Sequence, residues 1–74
     1  MTQIVIEIYH PYSVAVQCDG DWDCYNCLTE AAEVAKGYMM EHPDASIEIV
    51  NSFATNEWQQ RKWRRRLARE EVIS

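Results

Sequence analysis

The chain has 74 residues, of which 47% are hydrophobic and eight are aromatic, with twelve carboxylates against seven lysines and arginines for a net charge of −5. That length makes one small domain, residues 1–74, which buries only about 60% of its unfolded surface and leaves no room for a deep catalytic cleft. No repeat, low-complexity run or linker divides it.

The opening lacks the basic and apolar regions of a secretory signal, and no apolar stretch reaches the roughly 20 residues of a membrane span. A cytoplasmic protein without membrane contact is the expectation. Three cysteines are an odd number, and a reducing compartment keeps thiols free, so a disulfide framework is not expected.

"IVIEI" alternates Ile4, Ile6 and Ile8 with Val5 and Glu7, the period of a half-buried strand. "SVAVQC" repeats the pattern with Val14, Val16 and Cys18, and Pro11 between the two runs favours a hairpin. The "DGD" that follows reads as the end of the sheet, with Gly20 supplying a positive φ. From Cys24 the period becomes helical through Cys27, Leu28, Ala31, Val34, Ala35, Tyr38 and Met39, with Asp23 as cap and Pro43 as terminator. "SIEIV" supplies a third strand with Ile47 and Ile49 inward. Asn56 with Gln59 three residues on caps a second helix that runs to about Glu71.

The fold class expected is therefore α+β: a small β-β-α-β-α domain whose three-stranded antiparallel or mixed sheet is packed by a helix, with a C-terminal arginine-rich helix added. "IVIEI" should be central, the two other strands antiparallel to it. The expected core comprises Ile4, Ile6, Ile8, Val14, Val16, Ile47, Ile49, Leu28, Ala31, Val34, Ala35 and Tyr38.

"CDGDWDCYNC" is the densest group of reactive side chains. A zinc site could draw on Cys18, Cys24 and Cys27 with His10 or His42, but the C-x-x-C pair has no second knuckle of matching spacing. Redox work would want a depressed thiol pKa, and three neighbouring aspartates push it up. The reading preferred is that Cys24 and Cys27 are small buried residues on the inner face of the first helix. His10 sits at the hairpin turn and His42 at a helix end before Pro43, the serines lack a nucleophile motif, and two glycines make no phosphate loop. No enzyme is expected, no catalytic residue, and neither metal nor cofactor.

Charge is where the sequence speaks most clearly. Residues 1–60 hold ten carboxylates and one lysine, Lys36, a net of −9, whereas residues 61–74 hold six cations and two carboxylates, a net of +4. Asp19, Asp21 and Asp23 in the turn, with Trp22 among them and Glu30 and Glu33 on the first helix, read as one negative partner-binding region that attracts a basic protein. On the second helix Trp58, Arg61, Lys62, Arg65 and Arg69 share one side, opposite Trp63 and Leu67. Such a stripe can bind phosphates and stack on bases, or fold back over the chain's own carboxylates.

With "MTQIVIEIYHPYSVAV" as its opening hairpin and "CLTEAAEVAKGYMM" as the helix behind it, the acidic chain resembles in general build the small phage-encoded inhibitors of host defence, including anti-CRISPR proteins. The resemblance implies a stoichiometric inhibitor in the host cytoplasm, whose carboxylates and aromatics stand in for phosphates and bases on the basic, nucleic-acid-handling surface of a larger protein. Direct nucleic-acid binding through the Arg/Trp helix is the alternative, ranked second because the net charge of −5 opposes it. A small zinc or redox protein using Cys18, Cys24 and Cys27 ranks third.

Overall fold

A computed structural model describes residues 2–53 and 56–72. Its elements run β1 (Gln3–His10), β2 (Ser13–Cys18), β3 (Asp21–Tyr25), α1 (Leu28–Glu41), β4 (Ser46–Asn51) and α2 (Glu57–Arg69). The fold is α+β with a four-stranded mixed sheet ordered β3-β2-β1-β4. The sequence pattern predicts three strands; the fourth, β3, lies in the segment that reads as turn and helix start.

β3 exists because Asp19 and Gly20 form a two-residue connection in which both φ angles are positive, 49° and 95°. That pair is what a type I′ hairpin turn demands, and its twist matches the strands it joins. The chain therefore doubles back, pairing Cys18 with Asp21, Val16 with Asp23 and Val14 with Tyr25. β1 is internal, antiparallel to β2 but parallel to β4, with Ile4 opposite Ile47 and Ile6 opposite Ile49. The antiparallel direction expected for that last strand is thereby corrected.

Both helices pack on one face of the sheet. Ile4, Ile6, Ile8, Val14, Val16 and Cys18 point into it and meet Leu28, Ala31, Ala32 and Ala35 of α1, Trp63 and Leu67 of α2, and Val72. Ile47, Ile49, Val34 and Tyr38, expected as core, are only partly buried around this cluster. They sit on the edge strand and the flank of α1, where fewer elements cover them.

α1 starts at Leu28 with Cys27 as its N-cap and no side-chain capping bond, so Asp23, two positions inside β3, does not cap it. α2 is capped as its sequence requires: Asn56 Oδ1 accepts from the Gln59 N–H at 2.8 Å. It ends in a Schellman arrangement, with Glu71 at φ 64°, its N–H donating to the Ala68 carbonyl, and the Val72 N–H donating to the Leu67 carbonyl. The motif turns Val72 into the core, where it is 2% exposed. Among the described residues no helix is long and apolar enough to cross a membrane.

Candidate functional site

With both helices on one side, no element among the described residues covers the opposite face of the sheet. Strand alternation places Val5 and Glu7 of β1, Ala15 and Gln17 of β2 and Trp22 of β3 there, and together with Tyr9 they line a shallow groove of about 310 Å³. Register brings Glu48 beside Val5 and Trp22 beside Gln17 on the same face. Trp22 is 64% exposed and Tyr9 50%. A lysine or arginine appears nowhere in the four strands.

Tyr9 is the extra residue of an irregularity in the β1–β2 pairing, where Ile8 faces Val14 and His10 faces Ser13. The Glu7 carboxylate accepts from its hydroxyl and, with burial, raises the phenol pKa above its ordinary value. The groove thus presents carboxylates and aromatic edges, and its Tyr9 is a neutral donor throughout the physiological range.

The acidic residues singled out from the sequence divide between places. Asp21 and Asp23 pair with Cys18 and Val16, both inward residues, so their side chains leave the sheet on the helix side while Trp22 leaves on the open side. Asp19 sits in the turn, with its Oδ1 3.4 Å from the Gln3 N–H. Around the β3 edge these aspartates do converge with α1. Burial first, then Asp23, Tyr38 and Glu30, raise the Tyr25 pKa; burial first, then Asp19, Asp21 and Glu41, raise that of Cys18. Glu41 belongs to this acidic border although the sequence reading passes over it, and its signal is the helical spacing from Glu30 through Val34 and Tyr38. Glu33 is exposed near Glu30 on the outer side of α1.

The cysteines do not assemble. Cys18 is buried on the helix side, Cys24 pairs with Ala15 and projects to the open side, and Cys27 is an exposed helix cap. The expectation that Cys24 and Cys27 line the inner face of a helix is corrected for both, because β3 occupies Cys24 and the helix starts after Cys27. Among the described residues no group of three or more His, Cys, Asp and Glu side chains is placed to hold a metal ion.

On α2, Trp63 and Leu67 are buried and Trp58 is 69% exposed. Trp58, Arg61, Lys62, Arg65, Arg66 and Arg69 line a surface groove of about 460 Å³. Among the described residues its ion pair is Arg61 with Glu57 at 2.7 Å, one turn apart on the same helix. Among the described residues no ion pair joins these cations to the carboxylates of the sheet or of α1.

Compared with known proteins, the chain matches no family model, no curated protein and no solved structure.

Proposed function

We propose that this is a non-catalytic interaction protein, a stoichiometric inhibitor whose uncovered sheet face occupies the basic, nucleic-acid-binding surface of a larger protein. The observation that carries it is the character of that face: aromatic anchors Trp22 and Tyr9 stand exposed among Glu7 and Glu48, and no strand contributes a cation. Interfaces draw most of their energy from aromatic and arginine anchors set in a desolvated centre, and an arginine-rich partner supplies the complementary half. The acidic border of Asp19, Asp21, Asp23, Glu30 and Glu41 surrounds one edge and steers a basic partner inward. The resemblance in size and charge to small phage inhibitors of host defence, read from the sequence, agrees with this proposal and suggests its setting, the cytoplasm of an infected bacterium.

The test is affinity capture from nuclease-treated bacterial lysate with wild type, a Trp22→Ala/Glu7→Lys variant and an Arg65→Gln/Arg69→Gln variant. A basic nucleic-acid-binding protein should be retained by the first and third but lost from the second, and one equivalent of wild type should displace that protein's nucleic acid. Capture that the open-face changes leave intact would overturn the assignment.

A further inference from the structure

A second surface, at the other side of the molecule, combines features that the sheet face lacks. His10 closes the β1–β2 turn, its Nδ1 accepting from the Tyr12 N–H at 3.2 Å. Its ring lies 5.7 Å from Tyr12 and 5.8 Å from Phe53, and Phe53 in turn meets Trp63 edge-on at 6.1 Å. Arg66 stacks its guanidinium 4.5 Å over Trp63, and Lys62 places its ammonium 5.6 Å over Trp58. Pro11, Phe53, Trp58, Lys62, Trp63 and Arg66 border a depression of about 230 Å³. It shares Trp58, Lys62 and Arg66 with the cationic groove of α2, so aromatic platform and cationic track are one continuous surface.

Two rings at this surface are open: Tyr12, at the end of the aromatic row, is 74% exposed, and Trp58, which borders the depression, is 69% exposed. Arg61 to Arg69 spans about 12 Å at the rise of an α-helix, room for two or three phosphates of an extended strand. Lys62, Arg65, Arg66 and Arg69 have no carboxylate within ion-pair distance among the described residues, so at these four a phosphate displaces no carboxylate, while Arg61 would exchange its exposed pairing with Glu57.

We propose that this surface binds a single strand of nucleic acid, with phosphates along Arg61, Lys62, Arg65 and Arg69 and unpaired bases on Trp58 and Tyr12. Exposed flat rings beside a cationic groove are the physical requirement of such binding, since every base offers a π-face whatever its sequence. A duplex hides those faces in its own stack. An acidic protein satisfies the cations as well, but engages Trp58 and Tyr12 only if it brings its own exposed rings, whereas every nucleotide carries a base beside its phosphate. The proposal is independent of the open sheet face, which lies on the other side of β1 and β2.

The experiment is fluorescence anisotropy of a labelled oligothymidylate titrated with the purified protein, with the matching duplex and polyglutamate as competitors. Binding should weaken with salt at a slope of about −2 in log–log form, as expected for three phosphate contacts on a single strand. Trp58→Ala should weaken it about tenfold, the scale of one lost stacking contact. Arg65→Gln with Arg69→Gln should flatten the salt slope by about 1.4, and Trp22→Ala should change nothing. Circular dichroism of each variant establishes that the fold is kept. Polyglutamate competing as well as oligothymidylate would overturn the strand in favour of an acidic protein, and tighter binding of duplex, or indifference to Trp58→Ala, would overturn it as well. Sedimentation without oligonucleotide closes the remaining route: salt-sensitive self-association lost in the arginine variant would mean that a second copy fills the groove. None of these outcomes bears on capture through Trp22.

Discussion

Trp22 and Asp23 are adjacent in β3 and leave the sheet on opposite sides, Trp22 beside Gln17 on the open face and Asp23 beside Val16 on the helix side. What reads in sequence as one aromatic-acidic cluster is thus an exposed ring on one surface and an acidic border on the other. Replacing Trp22 by alanine should therefore abolish partner capture while shifting stability by no more than about 0.5 kcal/mol, because the side chain is mostly in water. Thermal melting alongside capture checks both halves of that expectation.

The cysteines give a direct reading of the topology. Cys24 and Cys27 are exposed and Cys18 is 5% exposed, with its thiol pKa raised by burial and by Asp19, Asp21 and Glu41. A thiol reagent at mildly alkaline pH should modify two cysteines at once and the third only on unfolding. The raised pKa also fixes a sign: the folded state favours the protonated thiol, so this contribution to stability is present below the ordinary thiol pKa of about 8.5 and is lost as pH rises through the higher folded value. Cys18→Ala should remove that alkaline loss in denaturant titrations while leaving a small cavity. Three equally fast cysteines would contradict the burial of Cys18 at the end of β2, and a protected Cys24 would contradict the placement of β3.

How far the sequence could be read turns on that one strand. β1 and β2 announce themselves by strict alternation, and Asn56 with Gln59 marks the start of the second helix. β3 does not, because Cys24, Cys27 and Leu28 continue the spacing of α1 backwards and so disguise the last residues of a strand as the first turn of a helix. Asp-Gly is the available signal, since it is among the favoured dipeptides of a two-residue hairpin. Missing β3 also reverses the direction of the following strand. A helix leaving β2 returns the chain antiparallel to β1, whereas a helix leaving β3 returns it parallel, as β4 is. The open face and its groove are illegible for the same reason: with one strand fewer, Trp22 belongs to a turn and has no face.

Backbone conformation predicts three alanine or glycine changes of opposite sign. Gly20 has φ 95° and open space where a Cβ would project, so Gly20→Ala incurs only the left-handed backbone penalty of about 1–2 kcal/mol. Gly37 lies inside α1 with equally open space, so Gly37→Ala should stabilise by about 0.5–1 kcal/mol. Glu71 holds φ 64° at the end of α2, and Glu71→Gly should stabilise on the same scale by relieving the strain at its Schellman position. Urea unfolding of the three variants tests the set.

The outer edge of the sheet supplies the last prediction. β3 is an edge strand whose first four residues are exposed, and its outward N–H and C=O groups could pair with another strand. Charged side chains on such an edge resist that pairing, because stacking two copies sets like charges against each other and strips their hydration. Asp21 and Asp23 flank the strand on the helix side, and Asp23 further accepts the Cys24 N–H at 2.9 Å, which occupies a backbone donor of the same strand. We expect their first effect to be keeping the molecule apart from its own copies, which would leave the sheet face free for the partner proposed above. Asp21→Thr with Asp23→Thr raises strand propensity while removing both charges, so the variant should keep its fold yet self-associate with rising concentration in sedimentation runs. Adding salt to the wild type should move it in the same direction by screening the aspartates. A variant that stays monomeric at every concentration would show that the edge is guarded by something other than these two carboxylates.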